Sequence, residues 1–174
     1  MNKVDSENKN SKKIEQNKQF EKILRISLII AIVVISGFIV YYLLTPESGY
    51  VTFGFLNSEK KAENYPTNSK QNQNVSFYIT VGNYLRRDFS FRLEILRGDN
   101  NTILNPEGSS FAISVLNITG ITLKNKIQWT SSMLNVSFSV IGSNQIIIAE
   151  LWEVDMNFFE SFIEIIWLRL NITS

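Results

Sequence analysis

Val75-Ser76-Phe77-Tyr78-Ile79-Thr80-Val81 alternates apolar and polar side chains without a break. Successive side chains of an extended strand point to opposite faces, so Val75, Phe77, Ile79 and Val81 are expected on a core and Ser76, Tyr78 and Thr80 away from it. Phe89, Phe91, Leu93 and Ile95 repeat the pattern around Ser90, Arg92 and Glu94, and Gly98-Asp99-Asn100-Asn101 then supplies the residues of a turn. Leu134, Val136, Phe138 and Val140 alternate in the same way, Gly142-Ser143-Asn144 turns the chain into an apolar strand at 145–152, and a last strand is read at 163–172. With residues 50–56 opening the series and 111–123 giving one long or two short strands, the count is about seven. Short strands at this spacing predict an all-β fold, an immunoglobulin-like β-sandwich of about seven antiparallel strands. Residues 57–73 are expected to form an ordered loop between strands.

Upstream the period changes. Residues 26–44 run nineteen positions without a charge, Asn or Gln, and at 1.5 Å per residue such a helix spans about 28 Å, the thickness of a bilayer's hydrocarbon core. Tyr41 and Tyr42 stand at its C-terminal end, where amphipathic rings favour the headgroup layer, and Pro46 is expected to stop the helix. The segment is therefore read as one transmembrane α-helix and the lipid bilayer as the first partner. Residues 1–25 hold seven Lys or Arg against four acids, and the fifteen residues after the span hold only Glu47 and Glu59. The positive-inside rule then makes 1–25 a cytoplasmic basic tail, largely disordered, and 45–174 an extracellular domain of a single-pass cell-membrane protein. A cleaved secretory signal competes. It is opposed by the length of the charged region and of the apolar run, and by the absence of a small-x-small cleavage site in Leu43-Leu44-Thr45-Pro46-Glu47.

Composition narrows the chemistry. The sequence has neither Cys nor His, so it offers no thiolate nucleophile or ligand, no disulfide and no imidazole base. Beyond residue 25 there are ten basic and twelve acidic residues, a poor balance for neutralising phosphates, and no nucleic-acid partner is expected. Glu150, Glu153, Asp155, Glu160 and Glu164 lack the spacing of a calcium loop and are not read as a metal site. No catalytic residue and no cofactor is assigned, and the chain is expected not to be an enzyme.

Thr52-Phe53-Gly54-Phe55-Leu56, Ala62-Glu63-Asn64-Tyr65-Pro66 and a strand ending Val81-Gly82-Asn83, followed by residues 142–152 and the closing Trp167-Leu168-Arg169-Leu170-Asn171-Ile172, resemble the outer domain of domain-of-unknown-function family 1616. These are largely archaeal membrane proteins. The resemblance covers about residues 50–172 and implies a sandwich outside the membrane with no established activity. Two departures stand out: Tyr84-Leu85 follows Asn83 where many members carry an acidic residue, and many members have several spans.

Two sets of residues carry the functional reading. Five Asn-x-Ser/Thr sequons, at Asn74, Asn100, Asn117, Asn135 and Asn171, lie on the expected outer side and are candidates for N-linked glycans. On the last strand Ile165 and Trp167 share a face with Arg169 and Asn171, opposite Leu168, Leu170 and Ile172, which makes Ile165, Trp167 and Arg169 the candidates for binding a partner. Most of the neighbouring aromatics, Trp152, Phe158, Phe159 and Phe162, are expected in the core. The reading is a non-catalytic surface module that binds an envelope protein, a glycan or itself. The alternative is an accessory subunit of a membrane enzyme complex, whose outer domain positions substrate or covers a partner.

Overall fold

The computed structural model describes residues 4–45 and 49–174, with side chains from Asn17 onward. The chain divides into a helical unit and a β unit, with the boundary between Glu47 and Ser48. The helical unit is α1 (Val4–Leu44), 41 residues long. It starts at Val4, where composition suggested disorder up to the span. No Gly or Pro occurs before Gly37, and Glu21 stands four residues ahead of Arg25, the order that supports a helix. Thr45 closes it, with its N–H and Oγ1 both donating to the Tyr41 carbonyl at 2.8 and 2.7 Å. Pro46, the expected stop, lies outside the described residues. Residues 17–44 are long and apolar enough to cross a membrane.

The β unit contains β1 (Val51–Leu56), β2 (Asn68–Lys70), β3 (Val75–Asn83), β4 (Phe89–Gly98), β5 (Ile103–Asn105), β6 (Gly108–Ser110), β7 (Ile113–Leu123), β8 (Ile127–Thr130), β9 (Leu134–Val136), β10 (Gly142–Val154) and β11 (Glu160–Thr173). The larger sheet runs β2-β11-β10-β4-β7; a smaller one runs β1-β3-β8, with β9 also on β3; β5 and β6 form a separate hairpin. The chain is thus mostly β with one apolar helix, but it holds eleven strands in several sheets rather than about seven, and β2 pairs with β11 in parallel. The four strands missing from the sequence reading, β2, β5, β6 and β8, have three or four residues each, too few for alternation to register. The turn expected at 142–144 is instead an irregularity within β10, with Asn144 at φ 58°.

The core forms where the inward faces of both sheets meet. Val75, Phe77, Ile79 and Val81 of β3 pack with Phe89, Phe91, Leu93 and Ile95 of β4, Ile147, Ala149 and Leu151 of β10, and Leu170 and Ile172 of β11. Within the smaller sheet Phe55 meets Phe77 edge-on at 5.3 Å, and Phe91 of β4 meets Trp129 of β8 at 5.6 Å, a ring contact that joins the two layers. Where β8 gives way to β9, buried Ser131 replaces the missing ladder rungs: its N–H donates to the Ile79 carbonyl at 2.9 Å and its Oγ accepts from the Ile79 N–H at 3.0 Å. Beyond the end of β9 at Val136 the alternation holds for buried Phe138 but not for Val140, which is exposed.

Pairing register defines two ends of the β unit. Val51, Asn83, Phe89, Leu123, Ile127, Val154 and Glu160 share the end at which the chain enters; Leu56, Val75, Gly98, Ile113, Gly142 and Ile172 share the far end. At the entry end Asn83 is wholly buried. Its Nδ2 donates to the Arg87 carbonyl at 2.7 Å and the Leu123 carbonyl at 2.8 Å, while its Oδ1 accepts from the Leu85 N–H at 2.9 Å.

Candidate functional site

The larger sheet has a second face, turned away from the core, and the polar and aromatic residues of β4, β10 and β11 collect there. The alternation that sends Phe91 and Leu93 inward sends Arg92 and Glu94 to this face, and the register sets Arg92 opposite Trp152 and Glu94 opposite Glu150. Arg92 bonds Glu94 at 2.6 Å and Glu160 at 2.9 Å, and its guanidinium lies 5.0 Å from the Trp152 ring centre. Burial works against its charge, but the bonds to Glu160 and Glu94 outweigh it and raise its pKa. At the entry end Arg87 is paired with Glu153, whose hydrogen bond raises the guanidinium pKa.

Beside this cluster the β5–β6 hairpin folds over the sheet. Glu150, 4% exposed, accepts from the Ser109 N–H and Oγ, each at 2.6 Å, and from Trp152 Nε1 at 3.3 Å. A buried carboxylate needs such donors. Gly108 adopts φ +122°, a conformation open to glycine, to bring Ser109 into place. Under the same hairpin Leu96, Ile146 and Ile148 form a small second core with Leu104, Ala112 and Ile165.

The three residues read as partner-binding therefore fare differently. Register places Ile165, Trp167 and Arg169 opposite Glu150, Ile148 and Ile146, all on the outer face. Ile165 is partly withdrawn into the second core, whereas Trp167 is 47% exposed and Arg169 is exposed. The expectation that most of the aromatic cluster lies in the core is corrected. Trp152 and Phe162 are half-buried against each other, centroids 5.2 Å apart, but Phe158 and Phe159 project from the β10–β11 turn and are 86% and 72% exposed. Sequence reading weighed aromatic density there and not position in a turn.

Two grooves open on the β unit, one of them beside this face. One, of about 450 Å³, lies between Arg92, Thr119, Thr122, Asp155, Phe158 and Glu160 toward the entry end. The other, of about 190 Å³ at the far end, is lined by Arg97, Asp99, Phe111, Ile113, Val140 and Gln145. Neither was legible in the sequence, since each joins strands distant along the chain.

The acidic residues noted above are separately engaged. Glu150 holds the hairpin, Glu153 pairs with Arg87, Glu160 with Arg92, and Asp155 accepts from the Asn157 and Phe159 N–H groups at 2.8 and 2.9 Å. Burial raises the pKa of Glu164. Among the described residues no group of three or more His, Cys, Asp or Glu is placed to hold a metal ion. All five sequon asparagines are exposed. Asn135 Oδ1 accepts from Ser76 Oγ at 2.6 Å, and Asn171 Oδ1 accepts from the Asn144 N–H at 3.2 Å.

No family model and no curated protein matches the sequence. Among solved structures the chain is similar to the CARDB domain of the PF1109 protein from Pyrococcus furiosus, in complex with di-metal ions. The identity is 14%, with 75% of this chain and 93% of that one covered and a TM-score of 0.46. It is also similar to the C-terminal domain of wzt, at 10% identity, 75% and 80% coverage and a TM-score of 0.47. A β-glucosidase from Listeria innocua matches at 6% identity, over 72% of this chain and 16% of that one, with a TM-score of 0.46. Likeness at this level assigns neither ligand nor activity.

Proposed function

We propose that the chain is a single-pass, membrane-anchored module without catalytic activity, whose β unit is an immunoglobulin-like sandwich with added short strands that recognises a partner on the outside of the cell. The observation that carries the reading is Trp167. It sits in mid-strand on the outer face, nearly half bare, between Ile165 and Arg169. A large aromatic left uncovered beside a cation is the type of anchor that dominates protein interfaces. The apolar helix supports tethering, the charge asymmetry around it supports an outward-facing β unit, and the exposure of all five sequons suits attached glycans. The partner in this reading is another envelope protein, a surface glycan or a second copy of the chain.

The test is recovery of partners from gently solubilised membranes with native chain and with Trp167→Ser. Loss of one partner in stoichiometric amount, at an unchanged thermal midpoint, is the expected result. Retention of every partner would remove Trp167 from recognition. Protease added to sealed cells checks the location: the β unit is expected to be degraded, and survival until lysis refutes the outward orientation.

A further inference from the structure

The β10–β11 turn is built in an unusual way. Asp155 organises it through its own carbonyl and carboxylate, which accept from Phe158, Asn157 and Phe159. The chain then places Phe158 at φ +63°, a left-handed conformation that L residues adopt at a cost on the order of 1 kcal/mol and that Gly or Asn would fill more cheaply. The result is three large apolar side chains directed away from the protein, Met156, Phe158 and Phe159, 98%, 86% and 72% exposed.

Their place in the β unit matters. They follow Val154, at the end where the chain enters: Tyr50 stacks on Tyr84 at 4.9 Å, and the Tyr84 N–H donates to the Tyr50 carbonyl at 2.9 Å. Only four residues separate Leu44, the last helical residue, from Gly49, so the chain between them reaches at most about 18 Å. The neighbouring loops of this end carry Arg86, Lys124 and Lys126, all exposed and, among the described residues, in no ion pair. Asp88 and Asp155 are exposed at the same end, where these three cations outnumber them, and an apolar tip on an end with an excess of cations suits a layer of acyl chains beneath phosphates.

We infer that the entry end of the β unit rests on the lipid bilayer, with Met156, Phe158 and Phe159 dipping into the interfacial layer and Arg86, Lys124 and Lys126 on lipid phosphates. The inference rests on the anchor reading above, since the tether is what brings this end to the surface. It gives the turn's strain a use: the second contact fixes the orientation in which the outer sheet face is presented.

The native chain has no Cys, so single substitutions give unique labelling sites. Full-length Met156→Cys, Phe159→Cys, Asn100→Cys at the far-end turn and Val34→Cys in the helix are each labelled with an environment-sensitive fluorophore. They are reconstituted in vesicles of phosphatidylcholine and phosphatidylglycerol carrying nitroxide lipids. Emission at Met156→Cys and Phe159→Cys is expected to shift to the blue and to be quenched by nitroxides near the headgroup, with Asn100→Cys unaffected and Val34→Cys quenched by deep nitroxides. Adding Lys124→Glu and Lys126→Glu to the turn variants is expected to weaken the shallow quenching. Water-like emission at both turn sites with Val34→Cys still quenched overturns the inference and leaves the anchor standing. A blue shift that no nitroxide quenches also overturns it, by showing that protein covers the turn. Failure of quenching at Val34→Cys brings down the anchor reading itself.

Discussion

Asn83 joins three segments at the entry end and is the position where one substitution tests the packing most sharply. Its amide replaces two backbone donors and one acceptor that the sheets do not supply: Nδ2 serves the Arg87 and Leu123 carbonyls, and Oδ1 the Leu85 N–H. Asn83→Ala leaves all three without their partner. Leaving a buried polar group unpaired costs about 1–3 kcal/mol. The Leu123 carbonyl carries the full penalty, because that contact is buried, while the two groups in the β3–β4 turn recover part of theirs from water. The expected loss is therefore about 2–4 kcal/mol, which for a β unit of this size lowers the thermal midpoint by roughly 10 °C.

Asn83→Asp separates shape from chemistry. It retains the acceptor for Leu85 but sets a second oxygen against two carbonyls. Ionisation is disfavoured there, so the folded-state pKa of the new carboxyl is raised. Its protonated form can donate to one carbonyl, and that contribution is present below the unfolded pKa, about 3.9, and is lost as pH rises through the folded value. Measured by near-ultraviolet circular dichroism of full-length protein in detergent, Asn83→Asp is expected to resemble Asn83→Ala at neutral pH and to recover relative to it near pH 4. A midpoint for Asn83→Ala within about 2 °C of native would refute the reasoning, since no loss near 1 kcal/mol would then have occurred.

Glu150→Gln keeps the volume but removes the charge and offers only one acceptor oxygen to Ser109 and Trp152; it is expected to cost about 1–2 kcal/mol and to speed amide exchange selectively at Ser109 and across β5 and β6. Unchanged exchange there would show that the carboxylate does not hold the hairpin. Tyr65 donates to the Phe55 carbonyl at 2.8 Å, and burial raises its pKa. The folded state therefore keeps a proton that the unfolded state releases above about pH 10, and its contribution is lost as pH rises through the folded value. Tyr65→Phe should be less stable at neutral pH by about 1 kcal/mol and should show a shallower loss of stability in alkali; parallel alkaline curves refute the assignment.

The parts of the fold that could be read ahead of the structure are those where a local period meets a buried face. Val75 to Val81 and Phe89 to Ile95 alternate because one side of each strand lies against the other sheet, and every inward position assigned to them is buried. The same period put Ile165, Trp167 and Arg169 on one face. It was silent on what covers that face, because the β5–β6 hairpin reaches Glu150 through Ser109, 41 residues away in sequence. Arg92 likewise finds Glu160 across 68 residues. Contacts at such separations follow from sheet order, which in turn depends on short polar strands such as β2 that have no period to detect.

The β10–β11 turn was misread for a different reason. Aromatic residues are buried when a strand holds them against a partner layer, and Trp152 and Phe162 obey that rule at the flanks of the turn. Phe158 and Phe159 have the same composition but stand where the two strands reverse, beyond the last rung that pairs Val154 with Glu160. No layer remains there to receive them, so local hydrophobicity and burial part company. Exposure of this kind is costly to retain in water, and a contact with lipid removes that cost at the position where the backbone is also strained. Density of aromatic residues in a sequence thus marks a core or a contact surface, and only the end of the strand decides between them.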